Sequence, residues 1–434
     1  MEEPLNSSNA GKPHRRFPLK RVSISVFLIL LVALSVVVIV GQREDEYEIR
    51  VKELLKEALK LFRDIRGFSI DNVEVEVVNV EWVKENWGKA YAEADKENIL
   101  RDEKVYKALF IISEDESLYM AEVEWWGIMV AAVWQDKIYV VEEYFNPSDK
   151  FNAQKTLVHE LTHIMQGKRF SIPDMPTFDG GKAKAAMIEG DACLMEEAYV
   201  NITKTIGVVS QVMYVNPIIN RYKGFLVSAS LPDSIYRLNY FPYKYGLRFV
   251  KVLYSAGGWE VVNMAYENPP ATTEQIMHPE KYFAGETYVE TLAPVIPGEG
   301  WQKVKSERFG EYFILVMLER WVQSEAVEAA KGWNGDNFTY YERGEDYLFT
   351  WNITWDSQDD ALQFVKAFQK MMRKTESEEV DANLWQAYGR LLSISWSDAS
   401  TIIACSTSDA DIREFLHKHG RTFQLPSESS QVET

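Results

Sequence analysis

The chain has 434 residues and a formal charge of −18 at neutral pH, from 65 acidic and 47 basic side chains. No basic stripe is available to neutralise phosphates, which argues against nucleic acid as a partner. Two cysteines, Cys193 and Cys405, are too few for a disulfide framework or a cysteine-based metal site, and the length leaves room for about two or three domains.

Residues 1–21 are polar and basic, with Lys12, Arg15, Arg16, Lys20 and Arg21, and read as a disordered tail. Residues 22–41 carry no charge, a run long enough to span ~30 Å of hydrocarbon as a helix. Acidic residues follow at Glu44, Asp45, Glu46 and Glu48. That asymmetry predicts a cytoplasmic N-terminus and an extracytoplasmic bulk. The apolar core is long for a signal peptide, and no A-x-A site precedes Gln42. The expectation is therefore an uncleaved single-pass anchor, with the lipid bilayer as partner through 22–41.

From 46 to 66 the apolar residues Val51, Leu54, Leu55, Ala58, Leu61 and Phe62 form one helical stripe. The alternation at 73–80 predicts a strand, and 105–112 and 120–134 read as strand or mixed segments. A further strand is expected at 138–144. The segment 152–168 reads as a helix, with Leu157, Leu161, Ile164 and Met165 on one buried stripe. It contains His159, Glu160, Leu161, Thr162 and His163, the pattern H-E-x-x-H. On a helix, positions i and i+4 share a face, so both imidazoles can hold one Zn²⁺ with Glu160 beside its open side. A zinc with three protein ligands keeps a position for water and lowers that water's pKa toward ~7. Glu160 is then placed to act as general base. A surface helix with two solvated histidines would carry the same five letters, but a helix with a buried stripe needs a reason for them.

The third ligand is expected on a second helix at 182–203. Glu189 is the first choice, with Asp191 and Glu196 as fallbacks; Glu196, two turns on along the same face, is also a candidate to orient a histidine. Gly190 fits a place where the zinc helix must approach closely. Phe241, Pro242, Tyr243, Lys244, Tyr245 and Gly246 open a further helix that runs to Gly257 and Gly258. A loop at 269–282 contains His278, read either as a cleft electrophile or as a structural hydrogen-bonding group. Glycines at 332 and 335 read as a hinge. Beyond it, Tyr347, Phe349, Trp351, Ile353 and Trp355 alternate as a half-buried strand, Ser357 starts a helix, and 391–396 and 401–405 could pair as a hairpin.

The phrase Glu189, Gly190, Asp191, Ala192, following H-E-x-x-H, resembles the E-G-x-A phrase of the gluzincin metallopeptidases, of which the M1 aminopeptidases are the best known. Pro242, Tyr243 and Gly246 resemble their P-Y-x-x-G phrase. The resemblance implies Glu189 as zinc ligand and Tyr243 as hydrogen-bond donor to the oxyanion, with Tyr245 and Tyr240 as alternatives. It also implies an edge strand before the zinc helix that pairs with substrate backbone. The spacing from His163 to Glu189 is longer than in the M1 group, Cys193 stands where a thermolysin-type aspartate would, and the amine-binding G-x-M-E-N phrase is absent. Residues 130–365 resemble little-characterised H-E-x-x-H proteins of archaea and bacteria.

These readings predict an α+β fold: a cytoplasmic tail (1–21), a transmembrane helix (22–41), a zincin-like metallopeptidase domain (45–330) and a small C-terminal α/β domain (335–420). The expected activity is zinc-dependent hydrolysis of peptide or protein substrates outside the cytoplasm, as an endopeptidase. His159, His163 and Glu189 would hold zinc, and Glu160, Tyr243 and His278 are the candidate catalytic residues. The alternative is a non-catalytic protein of the same fold that binds or senses at the cell surface.

Overall fold

The computed structural model describes residues 46–205, 231–292, 294 and 299–419. The chain divides into two units, Met1–Glu53 and Leu54–Thr434. Of the first, only 46–53 are described, as helical turns belonging to α1 (46–66). In the second unit, Leu54, Leu55, Ala58 and Phe62 of α1 are buried.

Strand β1 (Glu74–Val78) ends at Asn79, whose side chain accepts from the Trp82 amide and starts a helical run. That run comprises α2 (Val80–Val83), a π-helical stretch (Lys84–Lys89) and α3 (Ala90–Ala94). Next come α4 (Lys96–Ala108) and α5 (Leu118–Trp126). The sequence suggested strand or mixed structure at 105–112 and 120–134: the first is the end of α4 and the turn after it, and the second is mixed, with helix to Trp126 and strand from Ala131. Ser117 caps α5 by accepting from the Met120 amide, and the apolar residues beyond it bury as helix because tertiary contact outweighs intrinsic strand preference. β2 (Ala131–Trp134) and β3 (Lys137–Val141) follow. The sheet order is β1-β3-β2, with β3 parallel to β1 and antiparallel to β2.

Three long helices come next: α6 (Lys150–Arg169), α7 (Phe178–Thr205) and α8 (Asp233–Glu267). α7 packs against both of the others. Short helices α9 (Thr273–Met277) and α10 (Pro279–Ala284) lead to β4 (Gln302–Glu307), α11 (Gly310–Glu319) and α12 (Gln323–Ala330). The rest is β5 (Trp333–Arg343), β6 (Asp346–Trp355), α13 (Gln358–Met372), β7 (Glu378–Asp381), β8 (Leu384–Ala387), β9 (Arg390–Ser397), β10 (Ser400–Ser406) and α14 (Asp409–His419). Ser357 caps α13 by accepting from the Asp360 amide, and Phe364, Val365, Phe368 and Met372 bury its inner face.

The expected fold class gives way to a mixed architecture of helix and sheet. The C-terminal part is not an α/β unit. Its seven strands, in the order β4-β5-β6-β10-β9-β8-β7, pair antiparallel throughout. Its core is only in part its own: Leu384, Leu391, Ala404, Ile412 and Phe415 form a separate cluster. One buried cluster joins Met187 of α7, Phe249 of α8, Phe313 of α11, Trp351 of β6 and Ile394 of β9. Among the described residues no helix is long and apolar enough to cross a membrane. The tail at 1–21 and the segment at 22–41 lie outside the described residues.

The glycine-rich stretch read as a hinge is instead a fixed point. Asp336 is buried and accepts from the backbone amides of Phe309 and Gly310 at 2.9 and 2.8 Å and from the indoles of Trp333 and Trp351 at 2.9 and 3.0 Å. Burial pushes its carboxyl up to about 6 in spite of these donors. Asp336→Ala would leave four buried N–H groups unpaired, each costing about 1–3 kcal/mol. A drop of at least about 3 kcal/mol in unfolding free energy is therefore expected by denaturant titration.

Candidate metal centre

α6 starts where Asp149 accepts from the Asn152 amide at 3.2 Å and ends after Lys168 and Arg169, cations that suit a helix C-terminus. Leu157, Val158, Leu161, Ile164 and Met165 are fully buried. They lock the helix so that His159 and His163, one turn apart, stand edge to face with ring centroids 4.8 Å apart. On α7, Glu189, Cys193 and Glu196 follow the i, i+4, i+7 spacing and face them.

The three expected ligands come together. Glu189 Oε2 lies 3.3 Å from His159 Nε2 and 3.5 Å from His163 Nε2, and the ligand atoms of the three residues lie within 4.8 Å of one another. Glu189 Oε2 is buried yet has no aligned hydrogen bond. Three donor atoms thus converge on one point without satisfying each other, an arrangement that costs free energy unless positive charge occupies it. Two imidazole nitrogens and one carboxylate oxygen are a donor set suited to Zn²⁺.

The electrostatics agree. Burial opposes charge on His159, but Cys193, Glu189 and Glu196 outweigh it and hold its pKa well above the ordinary value. Burial likewise opposes charge on His163, and Glu189 overrides it. Glu189 is lowered: burial would raise it, but the two histidines more than compensate. The cluster attracts cations, whether protons or a metal ion.

Glu160 faces the same cavity. Its Oε2 is buried and has no hydrogen-bond partner. Burial raises its pKa against the opposing pull of His159 and His163. The cavity, about 460 Å³, is lined also by Tyr243 and by Met129, Val130 and Ala131–Val133. Tyr243 is buried, which raises its phenol well above the ordinary value, and the nearby Glu189 carboxylate adds to the rise. Tyr240 stacks on Tyr243, with ring centroids 5.9 Å apart, and Tyr245 packs against Phe241 and Tyr312; neither lines the cavity among its described residues.

Other candidates lie elsewhere. His278 is not at the cavity. Its Nε2 sits 3.1 Å from Glu311 Oε1, a pairing that raises its pKa, and the residue precedes α10 as its cap position. Asp191 turns away from the histidines into a buried ion pair with Arg66 at 3.1 Å. Glu196 Oε1 lies 2.8 Å from His159 Nδ1, on the ring edge opposite Glu189. The expected edge strand is also displaced by one. β3, at Lys137–Val141, is the central strand because β1 pairs with its far side, and β2 is the edge strand that walls the cavity.

Two glycines set the spacing of this site. A Cβ on Gly190 would lie 2.3 Å from the Gly246 carbonyl oxygen, and one on Gly246 would lie 2.0 Å from that of Ala186. α7 and α8 therefore touch backbone to backbone, one residue from Glu189 and three from Tyr243. Gly246→Ala must push the helices apart. It is expected to cost roughly 1–3 kcal/mol of stability and to weaken metal binding, checked by thermal melting and chelator competition on the same sample.

Residues 297–415 match a domain of unknown function (DUF8575), a stretch that holds none of the residues lining the cavity. No curated protein and no solved structure matches the chain.

Proposed function

We propose that the chain is a zinc-dependent peptide hydrolase, with His159, His163 and Glu189 as metal ligands. One observation carries the reading: two imidazole nitrogens and an unpaired buried carboxylate oxygen converge at a cavity beside a second unpaired carboxylate, that of Glu160. A purely structural metal site has no use for that fourth group. The resemblance to gluzincin phrases stands on His159–His163, Glu189–Ala192 and Pro242–Gly246 alone.

Bound zinc would supply a Lewis acid for the scissile carbonyl and a water of lowered pKa. The remaining steps belong to the chain. Glu160 Oε2 takes the proton of the attacking water and delivers it to the leaving amine. Tyr243 donates from its phenol to the oxyanion that develops on the substrate carbonyl. The open edge of β2 offers unpaired backbone groups to an extended peptide. Glu196 Oε1, 2.8 Å from His159 Nδ1, faces that edge of the ring and leaves Nε2 for the metal.

A mixed peptide library incubated with the purified zinc-loaded chain tests this. New internal termini, read by mass spectrometry and suppressed by a zinc chelator, are the expected result. A folded, zinc-loaded protein that cleaves nothing would make it a non-catalytic binding protein.

A further inference from the structure

Gln166 was not singled out by the motif, yet it touches a ligand histidine. Its Oε1 lies 2.9 Å from His163 Nδ1. Its Nε2 lies 2.9 Å from the Ile188 carbonyl oxygen and 2.8 Å from the Tyr266 hydroxyl. A backbone carbonyl only accepts, so the atom facing it must be the amide nitrogen. That fixes the orientation of the Gln166 amide and turns its oxygen toward His163. An amide oxygen only accepts, so His163 must carry its proton on Nδ1. The lone pair of His163 is then on Nε2, the atom 3.5 Å from Glu189.

The chain of bonds continues behind Gln166. The Tyr266 hydroxyl, having accepted from Gln166, donates to Asp191 Oδ2 at 2.8 Å. Asp191 pairs with Arg66, and both side chains are fully buried. Arg66 in turn donates to Asn263 at 2.8 Å and stacks on Trp259 at 4.1 Å. Trp259, Asn263 and Tyr266 can reach this place because α8 breaks at Gly258, which takes a φ of 65°. A glycine is needed there, since a side chain at that φ is strained.

We infer that Gln166 is the positioning residue that sets the tautomer and ring orientation of His163, and that Tyr266, Asp191 and Arg66 clamp Gln166 in turn. The inference rests on the metal-centre reading above. It gives the aspartate of the Glu189–Ala192 phrase a role at one remove from the metal. It also ties the ligand helix to α1, where Arg66 is the last helical residue.

The test compares zinc affinity, by chelator competition, with the melting temperature of the zinc-free protein. Losing such a partner typically weakens metal binding about 10–100-fold. Gln166→Met should show that loss at a temperature at which the zinc-free variant, though less stable than wild type, is still folded. In nitrogen NMR of histidine-labelled, zinc-loaded protein, the His163 Nδ1 proton should exchange slowly in wild type and fast in Gln166→Met. Wild-type zinc affinity in folded Gln166→Met overturns the orienting role and leaves the metal centre standing. A folded wild type that takes up no zinc overturns both. Should Gln166→Met fail to fold, Tyr266→Phe decides: it keeps the ring and removes only the hydroxyl. Weaker zinc binding by that folded variant supports the inference, and unchanged affinity overturns it.

Discussion

Glu160→Gln is expected to keep fold and zinc while turnover falls by roughly 10²–10⁴-fold, the usual loss when a general base is removed. Glutamine has the same shape, so the cavity wall is preserved. It cannot accept the proton that the attacking water must lose. Glu160 is suited to the task because its Oε2 has no partner to compete for that proton. Burial also raises its pKa, more than the two histidines lower it, which brings its basicity nearer to neutral pH. Tyr243→Phe, measured beside it, should cost roughly 10²–10³-fold, since one oxyanion donor is lost. If each acts only in the transition state, KM stays near wild type and kcat carries the change. Wild-type rates in Glu160→Gln would remove the proposed chemistry. Wild-type rates in Tyr243→Phe would remove only the tyrosine's part in it.

His163→Ala is the second large effect. It takes away one of three ligands and leaves Glu189 Oε2, already short of aligned partners, facing His159 alone. Stoichiometric zinc should be lost, by elemental analysis of the dialysed protein, and hydrolysis with it. His159→Ala should do the same, and it also removes the ring edge that lies 2.8 Å from Glu196. Glu189→Gln should weaken binding less completely, because an amide oxygen can still ligate without charge. If Glu189→Gln has no effect while Glu196→Gln does, the ligand set is His159, Cys193 and Glu196, a second group whose atoms also lie within 4.8 Å of one another. Full zinc occupancy in both histidine variants would end the assignment.

Much of the candidate site could be read from local spacing. His159 and His163 are one helical turn apart, and the apolar stripe beside them marks α6 as buried. Glu189 and Glu196 share a face of α7 by the same rule. Gly190 was read as a point of close approach by the zinc helix, but the helix that approaches there is α8; its counterpart, Gly246, lies 56 residues further along the sequence and no periodicity links the two. Gln166 could have been found, since it stands at i+3 from His163 on the same face. Arg66 could not: it meets Asp191 across 125 residues, and nothing local marks it.

Where the sequence misled, competing physics is identifiable. The run at 105–112 is rich in apolar and aromatic residues, which short patterns assign to strand or helix equally well, and it ends α4; the run at 120–134 is mixed as read, divided between α5 and β2. Capping by Ser117 decided for helix at α5. The strand at Lys137–Val141 was read rightly as a strand, yet strand order depends on pairing with β1 some 60 residues earlier, so its neighbour became the edge. The stretch with Gly332 and Gly335 looked flexible because glycine permits turns; four hydrogen bonds to Asp336 make it rigid instead.

The most direct measurement removes the metal and returns it in counted amounts. Hydrolysis of a cleaved peptide, followed as zinc is titrated into chelator-stripped protein, should be absent at zero zinc. It should then rise linearly and level off at one equivalent per chain. Full activity in protein shown by elemental analysis to hold no metal would contradict the account.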